Sequence, residues 1–273
     1  YGVACGKDRS ITVGEEGIIL MSLDGFSWQQ CNSGVPDDLI AVAFGNDKFI
    51  AIGSQIILSS VDGSSWIKQS IHYNTADLNT CITYGNGYWV IGCKSGAFLT
   101  SSDDTTWLRQ APPHNDGIRA ITYTKNGNWI AVTIGARLMS TGGPLKFESI
   151  MIGVIGEPTC VAYGKNVAVA IGFGNFTSPI QITYNDGINW SGAKNIASIY
   201  WPKSIVFGGG AFVAIGLTGD AINSQDGDTW VQYHIPSSSN LNSIAYNNDV
   251  YIVVGDSGAI FTSRPLPVLI DNK

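Results

Sequence analysis

Residues able to do chemistry are few in this chain, so their types and spacing come first. Three histidines, His72, His114 and His234, are nitrogen ligands of the kind zinc takes. Five arginines (Arg9, Arg109, Arg119, Arg137, Arg264) and four glutamates (Glu15, Glu16, Glu148, Glu157) could grip a carboxylate or divide acid and base work. Tyr200 and Trp201 stand side by side and could stack on a sugar ring or anchor a protein partner. Cys5, Cys31, Cys81, Cys93 and Cys160 form no C-x-x-C pair, and they read as buried thiols, with a Cys81–Cys93 bridge left open. No G-x-S-x-G, H-E-x-x-H, phosphate loop or dinucleotide fingerprint occurs.

What these residues can share depends on the elements that carry them, and those elements repeat. Aligning Ala4, Ala43, Thr83, Thr122, Ala162, Val206 and Ala245 gives units spaced 39, 40, 39, 40, 44 and 39 residues apart. The residue before each is Val or Ile, and the residue after is Cys5, Phe44, Tyr84, Tyr123, Tyr163, Phe207 or Tyr246. Ten residues beyond the anchor a glycine ends the second apolar run at Gly14, Gly53, Gly172, Gly216 and Gly255, with Gly92 one step early in the third unit. Each unit reads as four short strands separated by turn signals, about 40 residues per antiparallel sheet, which is the period of a propeller blade.

The third turn of the unit has the form S-x-D-G-x-S/T-W. It is read at Ser22–Trp28, Ser60–Trp66, Ser101–Trp107 (with Asp104 for Gly), Tyr184–Trp190 and Ser224–Trp230, while Phe147 stands for Trp in the fourth unit. The Asp carboxylate caps backbone N–H groups just ahead of it, Gly accepts a positive φ, and the Trp can cover the seam between sheets. The expected fold is all-β: a single domain over residues 1–273, a seven-bladed β-propeller of four-stranded antiparallel blades. The blades fall at about 3–30, 40–70, 80–111, 119–150, 159–193, 204–234 and 242–271, with Pro267-Val268-Leu269-Ile270 supplying the last outer strand.

Composition narrows function by exclusion. A net charge of −6 without a Lys/Arg cluster argues against nucleic acid, and no apolar run is long enough to insert in a membrane. The chain opens at Tyr1 without methionine, which reads as a processed or excised piece.

The turns resemble the Asp-box repeat of sialidases and many other propellers, in a form one residue shorter. The phrase YGNG-x-x-V-x-x-G…I-x-TS-x-DG-x-x-W is similar to repeats of bacteriophage tail and virion proteins and of the photosystem II assembly-factor family. The resemblance covers essentially the whole chain and implies the fold, an extracellular or virion-surface setting, and either a receptor-binding or an assembly role. It implies no catalytic residue, because Asp boxes are structural in those families. A sialidase site looks like three arginines with a Tyr–Glu pair and an Asp acid. Only Arg119 and Arg137 are well placed for it here, and Arg9 falls on the wrong face.

In such a ring the connectors between units share a face with the second-to-third loops, and the Asp turns lie opposite. His72 and Tyr73 lie in the second connector, His114 in the third, and Tyr233 and His234 in the sixth. Units two, three and six are too far apart in a ring for a shared zinc, so the histidines read as exposed or capping. The fifth connector, enlarged around Tyr200 and Trp201, lies beside the enlarged loop carrying Phe176. The expectation is therefore a non-enzymatic recognition propeller binding a glycan or protein receptor within a larger assembly. Its site would draw on Tyr200, Trp201, Phe176, Tyr73, His72 and Tyr233, with no metal and no cofactor. A protein-binding assembly scaffold is the alternative, and a glycoside hydrolase using carboxylates such as Glu15, Glu16, Asp220 and Asp256 comes third.

Overall fold

A computed structural model of the protein describes residues 1–69, 77–111, 115–134, 138–141, 148–150, 157–173 and 178–263, with residues 138–141 and 148–150 described by their backbone. Each repeat folds as an antiparallel sheet with its strands side by side in chain order. Six sheets have four strands; the last has three among the described residues, Leu241–Asn247, Val250–Gly255 and Ile260–Ser263. Residues 267–270, expected as its fourth strand, lie outside the described residues, as does Phe147.

The first strands are Gly2–Cys5, Leu39–Gly45, Asn79–Gly85, Ile118–Tyr123, Glu157–Gly164, Ser204–Gly208 and Leu241–Asn247. Each packs on the next, and the last returns to the first, closing a ring. The closure carries its own bonds: Thr262 Oγ1 donates to the Gly25 carbonyl at 2.7 Å, and the Asn247 amide to the Gly6 carbonyl. The core lies between sheets rather than within one layer. Ile50, Ile52 and Ile57 of the second sheet pack with Trp89, Ile91 and Leu99 of the third. Val169 and Ile182 of the fifth pack with Phe212 and Ile222 of the sixth. Burial on both faces explains why these strands are apolar throughout.

One contact sets the spacing of the ring. In five of the units the aromatic after the anchor pairs with one at the start of the second strand, as in Phe44–Phe49 (4.7 Å between centroids), Tyr84–Trp89 (4.8 Å) and Phe207–Phe212 (4.9 Å). The ring then lies over the glycine that ends the first strand of the preceding sheet. A Cβ on Gly45, Gly85, Gly164 or Gly208 would fall closer than 3.0 Å to Tyr84, Tyr123, Phe207 or Tyr246 respectively. In the fourth sheet the first hairpin is one residue longer and fully buried Thr124 takes the place of the glycine. At the closure Asn247 stands in the glycine column, opposite Cys5 in the aromatic column.

Two alignments change. In the third sheet Cys93 pairs with Asn79 where Gly53 pairs with Leu39 and Gly255 with Leu241. Cys93, not Gly92, therefore holds the repeating glycine's place, and Gly92 is small because Ile118 of the next sheet crowds it. The fifth Asp turn begins at Thr183 rather than Tyr184: Gly187 N–H donates to Thr183 Oγ1 at 3.1 Å, and Asn189 N–H to Asn185 Oδ1 at 2.9 Å. It is one residue longer than the others, with Asn185 in the Asp role.

The other described turns follow one scheme. In the first, Gly25 N–H donates to Ser22 Oγ at 2.8 Å, and the Phe26 and Ser27 N–H groups to Asp24 Oδ1 at 2.7 Å. These donors hold the Asp24 carboxyl at about 2. In the second, third, fifth and sixth turns the Trp indole donates back to the turn, as Trp230 does to the Gly227 carbonyl at 2.8 Å, and packs against the preceding sheet. All five cysteines are free, and the Cys81–Cys93 bridge is not formed. Burial pushes the Cys81 thiol up to about 11 and those of Cys93 and Cys160 to about 12.

If the glycine–aromatic contact sets the spacing, Gly208→Ala should overpack it and cost about 2 kcal/mol, roughly 5 °C in melting temperature. Calorimetry of the variant checks this; an unchanged melting temperature would remove the role given to the contact.

Candidate functional site

The two faces of the ring differ in what they join. On one face the connectors bond the second-to-third turns: Leu39 N–H donates to the Gly14 carbonyl and Asn79 N–H to that of Ser54, each at 2.9 Å. On the other, the first hairpin of one sheet reaches the Asp turn of the next, as Lys48 does to Asp104 at 2.6 Å.

On the connector face the first strands carry bulges at equivalent places. The registers slip at Ile40, Thr80, Arg119, Thr159 and Asn242, each three residues before its anchor. A bulge leaves one residue out of the ladder and re-aims its side chain. Thr80 Oγ1 donates to the Ile118 carbonyl of the next sheet at 2.6 Å, and Arg119 Nη1 to the equivalent Pro158 carbonyl at 3.2 Å. Tyr1 and Lys203 occupy the same column in the first and sixth units, so its two side-chain cations flank the fifth sheet.

Around that sheet a polar and an aromatic group meet. Arg119 forms an ion pair with Glu157 at 2.9 Å, and its guanidinium lies 5.7 Å from the ring centroid of Phe173. Phe173 stacks on Trp201 at 4.2 Å, and Tyr200 stands edge-on to Trp201 at 6.5 Å. Tyr200 and Trp201 remain 59% and 42% exposed, too much for rings that only close a core. Trp201 also has φ +47, a left-handed conformation costly for a bulky residue. Its neighbours hold it there: Tyr200 N–H donates to Asp220 Oδ2 at 3.1 Å, Leu217 N–H to the Tyr200 carbonyl at 3.0 Å, and Lys203 N–H to the Ile215 carbonyl at 2.8 Å.

No protein-family model matches the chain, and no curated protein sequence does. Solved structures match over nearly its whole length. A structure titled YCF48 bound to D1 peptide aligns with 96% of this chain and 92% of its own, at 18% identity and a TM-score of 0.76. A catalytically inactive virginiamycin B lyase from Staphylococcus aureus with quinupristin aligns with 96% and 93%, at 11% identity and 0.82. The WD40 β-propeller domain of Doa1 aligns with 96% and 90%, at 11% identity and 0.71. The chain is a β-propeller of four-stranded blades. At these identities the likeness establishes the fold alone.

Of the residues singled out from sequence, the propeller brings Tyr200 and Trp201 together on the connector face. Tyr233 stands on the outer strand of the sixth blade, opposite Ala221, with His234 opposite Asp220. His72, Tyr73, His114, Arg137 and Phe176 lie outside the described residues. Arg119, Glu157 and Phe173 were not gathered into one site by sequence, because only three-dimensional adjacency of two blades joins them. The column three before the anchor was the available signal. Three of the four carboxylates considered for glycoside hydrolysis have other partners: Tyr1 OH donates to Glu15, Tyr200 N–H to Asp220, and the Asn240 and Asn242 amides to Asp256 at 2.8 Å, holding that carboxyl low.

A second polar cluster braces the same face two blades away. Fully buried Asp77 receives Arg109 Nη2 at 3.1 Å, Arg109 Nε and the Ser95 hydroxyl. Arg109 first, and Ser95 after it, hold the Asp77 carboxyl below its ordinary range against the effect of burial. Removing the cation strands a buried charge, so Arg109→Ala should cost about 3 kcal/mol at pH 7. A depressed folded-state pKa means the contribution is fully present above the unfolded value, about 3.9, and is lost progressively as pH falls from there through the lower folded-state value. Denaturant midpoints of wild type and variant should therefore differ at pH 7 and draw together as pH falls below about 3.9; a difference undiminished in acid would show the pair is not its source.

Proposed function

We propose that this protein is a non-enzymatic binding propeller, a scaffold whose connector face docks a segment of a partner protein across the fourth to sixth blades. The observation that carries this is Trp201: half-exposed, held in a left-handed conformation, and stacked on Phe173 beside the Arg119–Glu157 pair. Backbone strain kept at an exposed aromatic is typical of ligand-contacting positions. Rigid aromatics with an adjacent arginine are the residue types that dominate protein interfaces. The solved YCF48 with its D1 peptide supports a peptide as the occupant in preference to a glycan. We also read the ring as seven-bladed, with residues 267–270 completing the last sheet.

Panning a random peptide library on the protein tests the docking reading. Selected peptides should quench tryptophan fluorescence and lose at least tenfold in affinity, about 1.4 kcal/mol, in Trp201→Asn and Arg119→Ala. Asn tolerates the left-handed conformation, so Trp201→Asn should keep its melting temperature within about 3 °C of wild type. Peptides indifferent to both variants, or ligands found only on a glycan array, would overturn the reading. For the seventh blade, deleting residues 267–270 should lower the melting temperature; no change would remove that assignment.

A further inference from the structure

The Asp-turn face carries a feature that the connector-face reading leaves unused. At described seams the first hairpin of one blade sends a polar side chain to the Asp turn of the next. Arg9 Nη1 donates to the Asp62 carbonyl, Lys48 pairs with Asp104 at 2.6 Å, and Lys165 Nζ donates to the Gln225 carbonyl at 3.1 Å. Asn126 does the same for Asp186 at 2.6 Å. The seam between the last and first blades departs from this. Aligned on the first hairpins, Val250 stands where Lys48 stands, and Asp249 precedes it. A cleft of about 560 Å³ opens there, lined by Asp8, Leu23, Asp24, Phe26, Asp249 and Val250 among others. Leu23 and Phe26 on its wall are 70% and 61% exposed.

We propose that this cleft docks a lysine- or arginine-bearing segment of a partner protein. The partner's cation would take the place that Arg9, Lys48 and Lys165 take at the other seams, and its apolar neighbours would lie on Leu23 and Phe26. The fold repeats the geometry of a cation lying against an Asp turn; at this seam Val250 stands in the Arg9 and Lys48 column and Asn248 in the Lys165 column, where it donates to the Lys7 carbonyl, so neither position supplies the cation. Charge complementarity points the same way. Asp8, Asp24 and Asp249 outnumber Arg9 at the cleft, and a chain of net charge −6 attracts basic segments. Arg9 is already engaged by Asp8 at 2.6 Å and by the Asp62 carbonyl, so it does not fill the space.

The test uses the whole chain and fluorescent heptapeptides selected on it from a random library. The selected set should contain peptides rich in Lys or Arg whose affinity falls as salt rises. Val250→Lys should supply the missing cation from within and weaken those peptides at least tenfold. Asp24→Asn should weaken them similarly while keeping the turn, because Asn185 already serves in that role in the fifth blade. Phe26→Ala, on an exposed side chain, should weaken them without altering the melting temperature. Basic peptides that bind Val250→Lys as tightly as wild type would overturn the proposal, as would a selected set with no enrichment in Lys or Arg. Binding abolished by Trp201→Asn and untouched by Val250→Lys would assign the peptides to the connector face and overturn this site. Self-association of wild type that Val250→Lys abolishes would replace the partner with a second copy.

Discussion

The ring depends on an aromatic side chain lying over a glycine of the neighbouring blade. Sheets normally pack about 10 Å apart, held off by interleaved side chains. Toward the axis of a propeller they must come closer, and a residue without a Cβ is what lets them. Tyr84 over Gly45, Phe207 over Gly164 and Tyr246 over Gly208 make each blade a wedge whose thin edge is defined by one missing atom. The closure departs in both columns at once: the aromatic column holds Cys5 and the glycine column Asn247, whereas in the fourth sheet Thr124 replaces the glycine and Tyr163 keeps the aromatic. The Asn247 amide then bonds the Gly6 carbonyl, so a polar contact closes the ring where the apolar one is lacking.

Much of the architecture was legible because it repeats. A strand pattern occurring once is ambiguous, but spacing near 40 residues with Val or Ile, a small residue and an aromatic in order leaves few folds open. Register was less legible. Gly92 resembles the recurring glycine because it lies next to the right place, but the third sheet carries the same bulge as the second and the last, so its pairing puts Cys93 in the glycine's position. The fifth turn is hard to place from sequence because it is one residue longer than the other described copies. Thr183 and Asn185 perform the bonding with side chains that differ from the Ser and Asp of the other copies.

The candidate site was half visible. Tyr200 and Trp201 stood out as aromatics that the repeat does not require, and the structure leaves both exposed. Arg119, Glu157 and Phe173 did not stand out, since each occupies an ordinary repeat position in a different strand. What joins them is the packing of two blades, a contact across some 50 residues of chain for Arg119 and Phe173 that no local pattern announces. The two faces thus divide their labour differently. One presents aromatic and paired polar groups around a strained loop, the other an acidic seam edged by Leu23 and Phe26.

The bulges in the first strands have a wider consequence. They fix a backbone offset at the same height in successive blades, yet the residue held there ranges from Ile40 to Thr80, Arg119, Thr159 and Asn242. Folding asks for the offset and is indifferent to the side chain. The inner rim is therefore a set of independently rewritable positions on a constant frame, and recognition can diverge there, in evolution or by design, without renegotiating the core.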